Sequence, residues 1–168
     1  ETAGWTKPSN QAEALFGTSV GTAGDVNGDG YADVIVGAPR WDGGKANEGA
    51  AWVYLGKPGG LTSAPHFYRK SNLAGAEFGM SVGTAGDVNG DGYSDVIIGA
   101  PSWSNPEASE GAAFVYPGSP TGLDQDAPPL WSKASNQIGA KFGISVGSAG
   151  DVNGDGYADI IVGGPFWV

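Results

Sequence analysis

The chain contains no cysteine, which excludes disulfides and thiolate metal sites. That absence is compatible with an oxidising compartment without requiring one. Histidine and methionine occur once each, as His66 and Met80. Only 8 residues are basic against 18 acidic, a formal net charge of −10, and no basic patch is available to neutralise phosphates. The balance argues against nucleic acid as a partner. No apolar run approaches the roughly 20 residues that cross a bilayer, so no membrane insertion is expected, and Glu1 does not open a signal peptide. No 3.6-residue apolar period persists for even three turns, so helices are not expected either. No Ser/His/Asp set repeats or converges, which leaves little for an enzyme.

What is present in quantity is glycine, 31 of 168 residues, with 40% apolar content, a balance that suits an all-β chain rich in tight turns. One nine-residue string, Asp-Val-Asn-Gly-Asp-Gly-Tyr-X-Asp, occurs three times, starting at Asp25, Asp87 and Asp151. Nine of the 18 acidic residues lie inside these strings, so the acidity is local. Each string offers side-chain oxygen at positions 1, 3, 5 and 9, the way a short loop wraps a hard cation.

In the first string those residues are Asp25, Asn27, Asp29 and Asp33, with Tyr31 giving its backbone carbonyl at position 7. The second offers Asp87, Asn89, Asp91, Tyr93 and Asp95, and the third Asp151, Asn153, Asp155, Tyr157 and Asp159. Gly28 and Gly30 let the first loop turn sharply, since glycine tolerates positive φ. The start resembles an EF-hand, but an EF-hand needs a bidentate Glu at position 12, where this chain has Val36, Ile98 and Val162. All-oxygen ligation with three carboxylates selects calcium over zinc or copper, and magnesium is disfavoured because it keeps several waters. Asn-Gly and Asp-Gly also form hairpin turns. A turn, however, does not need three carboxylates within nine residues, whose repulsion costs energy without a cation. Three calcium sites are therefore expected, and three bound divalent ions would bring the charge from −10 to −4.

The repeat extends beyond the loops. Phe16-Gly17, Phe78-Gly79 and Phe142-Gly143 each precede the first Asp by nine residues, and 18 of the 24 positions from Phe-Gly to Pro39, Pro101 or Pro165 are identical in all three copies. Four strands per repeat are predicted, in the middle copy over residues 81–86, 95–100, 111–116 and 130–133. Strand two is a continuous apolar run, as expected of a strand covered on both faces. Only turns separate these runs, which describes the blade of a β-propeller.

The sequence Phe-Gly, then Gly-Asp-Val-Asn-Gly-Asp-Gly-Tyr-Ala-Asp, then Gly-Ala-Pro resembles the FG-GAP repeat of the integrin α-subunit β-propeller. It is also similar to repeats in bacterial secreted proteins and in fungal lectins of integrin-like fold. The resemblance implies an all-β fold of four-stranded antiparallel blades, calcium in the loops joining strands one and two, an extracellular or secreted location, and a non-enzymatic role in adhesion or ligand recognition. A carbohydrate-binding lectin and a non-catalytic fragment of a larger secreted enzyme are the alternatives.

The whole chain, 1–168, reads as one propeller segment. Residues 1–10 supply strand four of a split blade, residues 16–73 and 78–136 two full blades, and residues 142–168 strands one and two of a split or partial third. Such open ends expose an apolar blade face, so the expected partners are copies of the chain, as a homo-oligomer closing a ring, or missing blades. Up-and-down topology places the calcium loops on one side and residues 40–45 and 102–107 on the other. Trp41 and Trp103 on that second side are the candidates for contacting a protein or glycan ligand. The competing reading packs them between blades. His66 reads as an exposed loop residue.

Overall fold

A computed structural model describes residues 4–168. Twelve strands and no helix are found among them. The first blade runs β1 (Ser19–Gly24), β2 (Asp33–Ala38), β3 (Ala50–Tyr54) and then, after a small ribbon of β4 (Gly56–Lys57) and β5 (Gly60–Leu61), β6 (Phe67–Lys70). The second is built from β7 (Ser81–Gly86), β8 (Asp95–Ala100), β9 (Ala112–Tyr116) and β10 (Trp131–Ala134). The third consists of β11 (Ser145–Gly150) and β12 (Asp159–Gly163). Each full blade is a four-stranded antiparallel sheet whose strands lie side by side in chain order. This is the predicted blade; the β4–β5 ribbon was not predicted.

The strand one–strand two ladder has the same register three times. Ser19 faces Gly37 and Gly24 faces Asp33, with a bulge between Thr22 and Gly24, and β7/β8 and β11/β12 repeat both features. A bulge bends its strand and redirects the chain beyond it. Here it delivers the chain into the acidic loop and sets the ninth-position Asp at the first residue of strand two.

Phe-Gly does the joining between blades. The amide of Gly79 donates to the Gly99 carbonyl of its own blade at 2.9 Å, while the Phe78 amide donates to Glu48 of the first blade at 3.2 Å. Backbone runs against backbone at this seam. A Cβ at Gly37 would stand 2.0 Å from the Gly79 oxygen, and one at Gly79 would stand 2.4 Å from that of Ala50. Only glycine allows that approach. Between the first two blades the core is assembled from Ile35, Val53 and Phe67 on one side and Val96, Ile98 and Tyr116 on the other. Full burial of each such side chain is worth roughly 1.5–3 kcal/mol. β8 is buried along its whole length, as its apolar run predicts, whereas β12 is not.

The N-terminal strand four does not form. Residues 5–7 belong to no ladder, since both third strands among the described residues, β3 and β9, already pair with β6 and β10. Their side chains nevertheless occupy the strand-four position. Trp5 packs edge-on against Tyr54 at 5.0 Å, as Phe67 packs on Tyr116 at 5.5 Å. The Lys7 ammonium lies 5.9 Å over the Tyr54 ring, as the Arg69 guanidinium lies 5.3 Å over Tyr116. Residues 1–3 of the expected segment fall outside the described residues.

Candidate metal-binding loops

Each acidic string forms a closed loop after the strand-one bulge. In the first, Asp25 Oδ1 accepts from the amides of Gly28 (2.7 Å) and Asp29 (3.1 Å), and Oδ2 from that of Gly30 (2.8 Å). Asn27 Oδ1 accepts from the Asp29 amide and Asp29 Oδ1 from the Tyr31 amide. Gly28 and Gly30 hold φ of 72° and 86°, the left-handed turns this wrapping needs. Asp33 ties the loop to the blade, with Oδ2 accepting from Val26 (2.8 Å) and Oδ1 from Gly56 (2.7 Å) in the strand three–four turn. That bond places both turns on one side of the blade, as the topology predicts. Asp87 and Asp95 repeat the pattern, Asp95 reaching Val88 and Gly118. Asp151 does so as well. Asp159 accepts from Val152 at 2.9 Å, with no strand three–four turn to supply a second amide.

In each copy the first Asp, the Asn and the second Asp share one local network with the loop backbone, and in the first the ninth-position Asp33 anchors that loop through Val26. The lone pairs that a cation would use are shared with backbone amides. Asn27 Nδ2 also donates to Asp29 Oδ2 at 3.0 Å, and Asn89 does the same to Asp91. No three His, Cys, Asp or Glu side chains among the described residues are gathered as a finished metal cage. The donor chemistry fits a hard cation all the same. Asp33 and Asp95 are fully buried, and no basic side chain among the described residues pairs with any loop carboxylate. Burial pushes Asp33 above the usual carboxylate range; the Gly56 and Val26 amides oppose this, and the charges of Asp29 and Asp25 add to it. Burial likewise raises Asp95 to about 6. The exposed Asp151 is held low, chiefly by the Gly156 amide.

The loops are also linked to one another, which sequence reasoning missed. Tyr93 lies on Gly28 of the preceding loop, where a Cβ would stand 2.7 Å from the ring, and Tyr157 lies on Gly90 in the same way. The Ser94 amide donates to the Asp25 carbonyl at 3.0 Å, and that of Ala158 to Asp87 at 2.8 Å. The recurrence of Tyr-X-Asp was the available signal, but not its direction.

On the opposite side, Trp41 and Trp103 are half-buried against strand three of their own blades. Trp41 is edge-on to Trp52 at 5.1 Å and its indole N–H donates to the Tyr68 hydroxyl at 3.0 Å; Trp103 packs on Phe114 at 5.1 Å. Two acids not singled out from the sequence organise this side, Glu48 and Glu110, both fully buried. Glu48 pairs with Lys70 at 3.2 Å, and Glu110 accepts from the amides of Asn105 and Asn136. The repeated Glu-Gly-Ala-Ala was the legible sign of them. His66 is half-buried rather than exposed. Its Nε2 is buried against Gly122 of the next blade, because the two strand three–four turns abut.

Three ladders of identical register, each opening into the same loop, are matched by the FG-GAP repeat at residues 16–54, 78–116 and 142–168. The chain belongs to the FG-GAP repeat family. Proteins similar to it include integrin alpha-5 of Xenopus laevis, 36% identical over 162 residues that are 91% of this chain and 15% of the relative. Integrin alpha-PS5 of Drosophila melanogaster is 37% identical over 92% of the chain and 15% of its own length. Human integrin alpha-7 is 35% identical over 88% and 12%. The chain thus spans 12–15% of the length of these relatives, and its four-stranded antiparallel sheets are consistent with the β-propeller blades of FG-GAP repeats.

Proposed function

We propose that the chain is a calcium-binding, non-enzymatic propeller module for adhesion or ligand recognition outside the cell. The observation that carries this is the loop. Three carboxylates and an amide oxygen lie within nine residues three times over, and in two copies the closing carboxylate is buried without a cationic partner. Asp25, Asn27, Asp29, Asp33 and the Tyr31 carbonyl would hold one ion, with the matching residues of the other loops holding two more. The ion would supply positive charge where carboxylates crowd, and so fix the strand one–two turn to the strand three–four turn. The integrin relatives support adhesion and an extracellular setting, and no described helix is long and apolar enough to cross a membrane. For the lectin alternative, Trp41 and Trp103 offer packed rather than presented indoles.

Thermal unfolding in millimolar calcium and in excess chelator tests the proposal. At about 100 times the dissociation constant, one ion adds roughly 2.7 kcal/mol, and a chain of this size shifts by about 2–4 °C per kcal/mol. The expected rise is therefore at least about 5 °C with calcium and less with magnesium. Identical melts in calcium and chelator would overturn it.

A further inference from the structure

In loop one (25–33), loop two (87–95) and loop three (151–159), the eighth residue stands between two of the assigned donors, the Tyr carbonyl and the last Asp. In loop two this residue is Ser94, and it also holds the first donor residue of loop one. The Ser94 amide donates to the Asp25 carbonyl at 3.0 Å, and the Asp25 amide donates to Ser94 Oγ at 3.2 Å. The Tyr93 ring lies over Gly28, where a Cβ would stand 2.7 Å from it. The stretch from Tyr93 to Asp95 therefore closes its own loop and clamps the opening of another.

A second route joins the same two loops through backbone. The Val26 amide donates to Asp33 Oδ2 at 2.8 Å, and the Val26 carbonyl accepts from the Ser119 amide at 3.1 Å. The residue before it, Gly118, donates to Asp95 Oδ1 at 2.9 Å. Val26 and the Gly118–Ser119 turn thus connect the closing carboxylates of loops one and two. That turn has no slack, since a Cβ on Gly118 would stand 2.5 Å from the Ser94 oxygen and 2.9 Å from that of Val26. Loops two and three share the first route. There the Ala158 amide donates to the Asp87 carbonyl at 2.8 Å and Tyr157 lies over Gly90.

We infer that neighbouring loops take up their cations cooperatively, with Tyr93 and Ser94 as positioning residues for loop one. The inference rests on the reading of the loops as calcium sites and adds how those sites communicate. Ordering residues 93–95 around an ion fixes Asp25 at the same time, so loop one meets less of the ordering cost when its own ion arrives. Coupling between two binding sites is equal in both directions. Charge acts in the opposite sense, because a filled loop two is less negative than an empty one and attracts a neighbouring cation less. That influence is screened beyond about 8 Å at physiological salt. The sign of the coupling distinguishes the two.

Two-dimensional NMR of the whole chain during calcium titration is the test. The Gly30, Gly92 and Gly156 amides report one loop each, since each donates to the first Asp of its own loop, at 2.8, 2.8 and 2.9 Å. Asp91→Asn disables loop two without altering loop one, and the Gly92 signal shows that it stays empty; Asp87→Asn is added if it does not. The Gly30 midpoint is then expected at least about fivefold higher in calcium than in the wild type. The combined Tyr93→Ala and Ser94→Ala variant keeps every donor atom and is expected to shrink that difference. Ser94→Ala alone, which copies Ala158 of loop three, serves if the combined variant does not fold. A Gly30 midpoint that is unchanged or lower in Asp91→Asn, or a difference undiminished by the Tyr93 and Ser94 substitutions, would overturn the inference. The absence of a calcium-dependent shift at all three glycines would overturn instead the reading of the loops as metal sites.

Discussion

Asp95 shows what a single carboxylate costs in this fold. It is fully buried, accepts from two amides and has no basic partner, and burial raises it from an ordinary 3.8 to about 6. A raised acid holds its proton more tightly folded than unfolded, so its contribution is fully present below pH 3.8 and is lost as pH rises through about 6. Asp33 is shifted in the same direction. In chelator, denaturant unfolding of the wild type is therefore expected to show stability falling between pH 4 and 6, with a shallower fall in Asp95→Asn. A cation requires the ionised form, so millimolar calcium is expected to reverse the slope. A calcium-free stability that rises across that window would contradict the account. The loop residues were legible one by one because hard-cation ligation needs fixed oxygen spacing. The lodging of Tyr93 on Gly28 and of His66 on Gly122 was not, because each contact joins residues more than fifty positions apart.

At the scale of elements, strands two and three announced themselves through apolar runs, and the Phe-Gly register through repetition. The failure of residues 5–7 to form a strand was not legible, because strand formation is a property of the pair and the partner is not encoded in the segment. The seam between blades gives a direct test. Gly79→Ala puts a Cβ 2.4 Å from the Ala50 oxygen at a φ of 83°, so overpacking adds to backbone strain. A loss of roughly 2–5 kcal/mol is expected. Gly139→Ala has a φ of 74° but nothing within 4 Å, so strain alone applies, roughly 1–2 kcal/mol. Equal losses in denaturant titrations would mean that the blades do not meet through backbone contact at Phe-Gly.

For the whole molecule, the three loops form a chain on one side of the blade stack, Tyr93 and Tyr157 each capping the loop before and Asp33 and Asp95 each tying two turns together. Cations placed there would stiffen the side opposite Trp41 and Trp103 and hold the blades in a common frame. That the acidic loops lie on the side opposite the loops of Trp41 and Trp103 was readable from up-and-down topology alone. How the blades interlock was not readable, since it depends on backbone approach at glycines rather than on side-chain pattern. The most direct measurement is a calorimetric titration of the metal-free chain with calcium. The account predicts saturable binding of three ions per chain, reduced to two by Asp95→Asn, whereas the absence of any saturable uptake would contradict it.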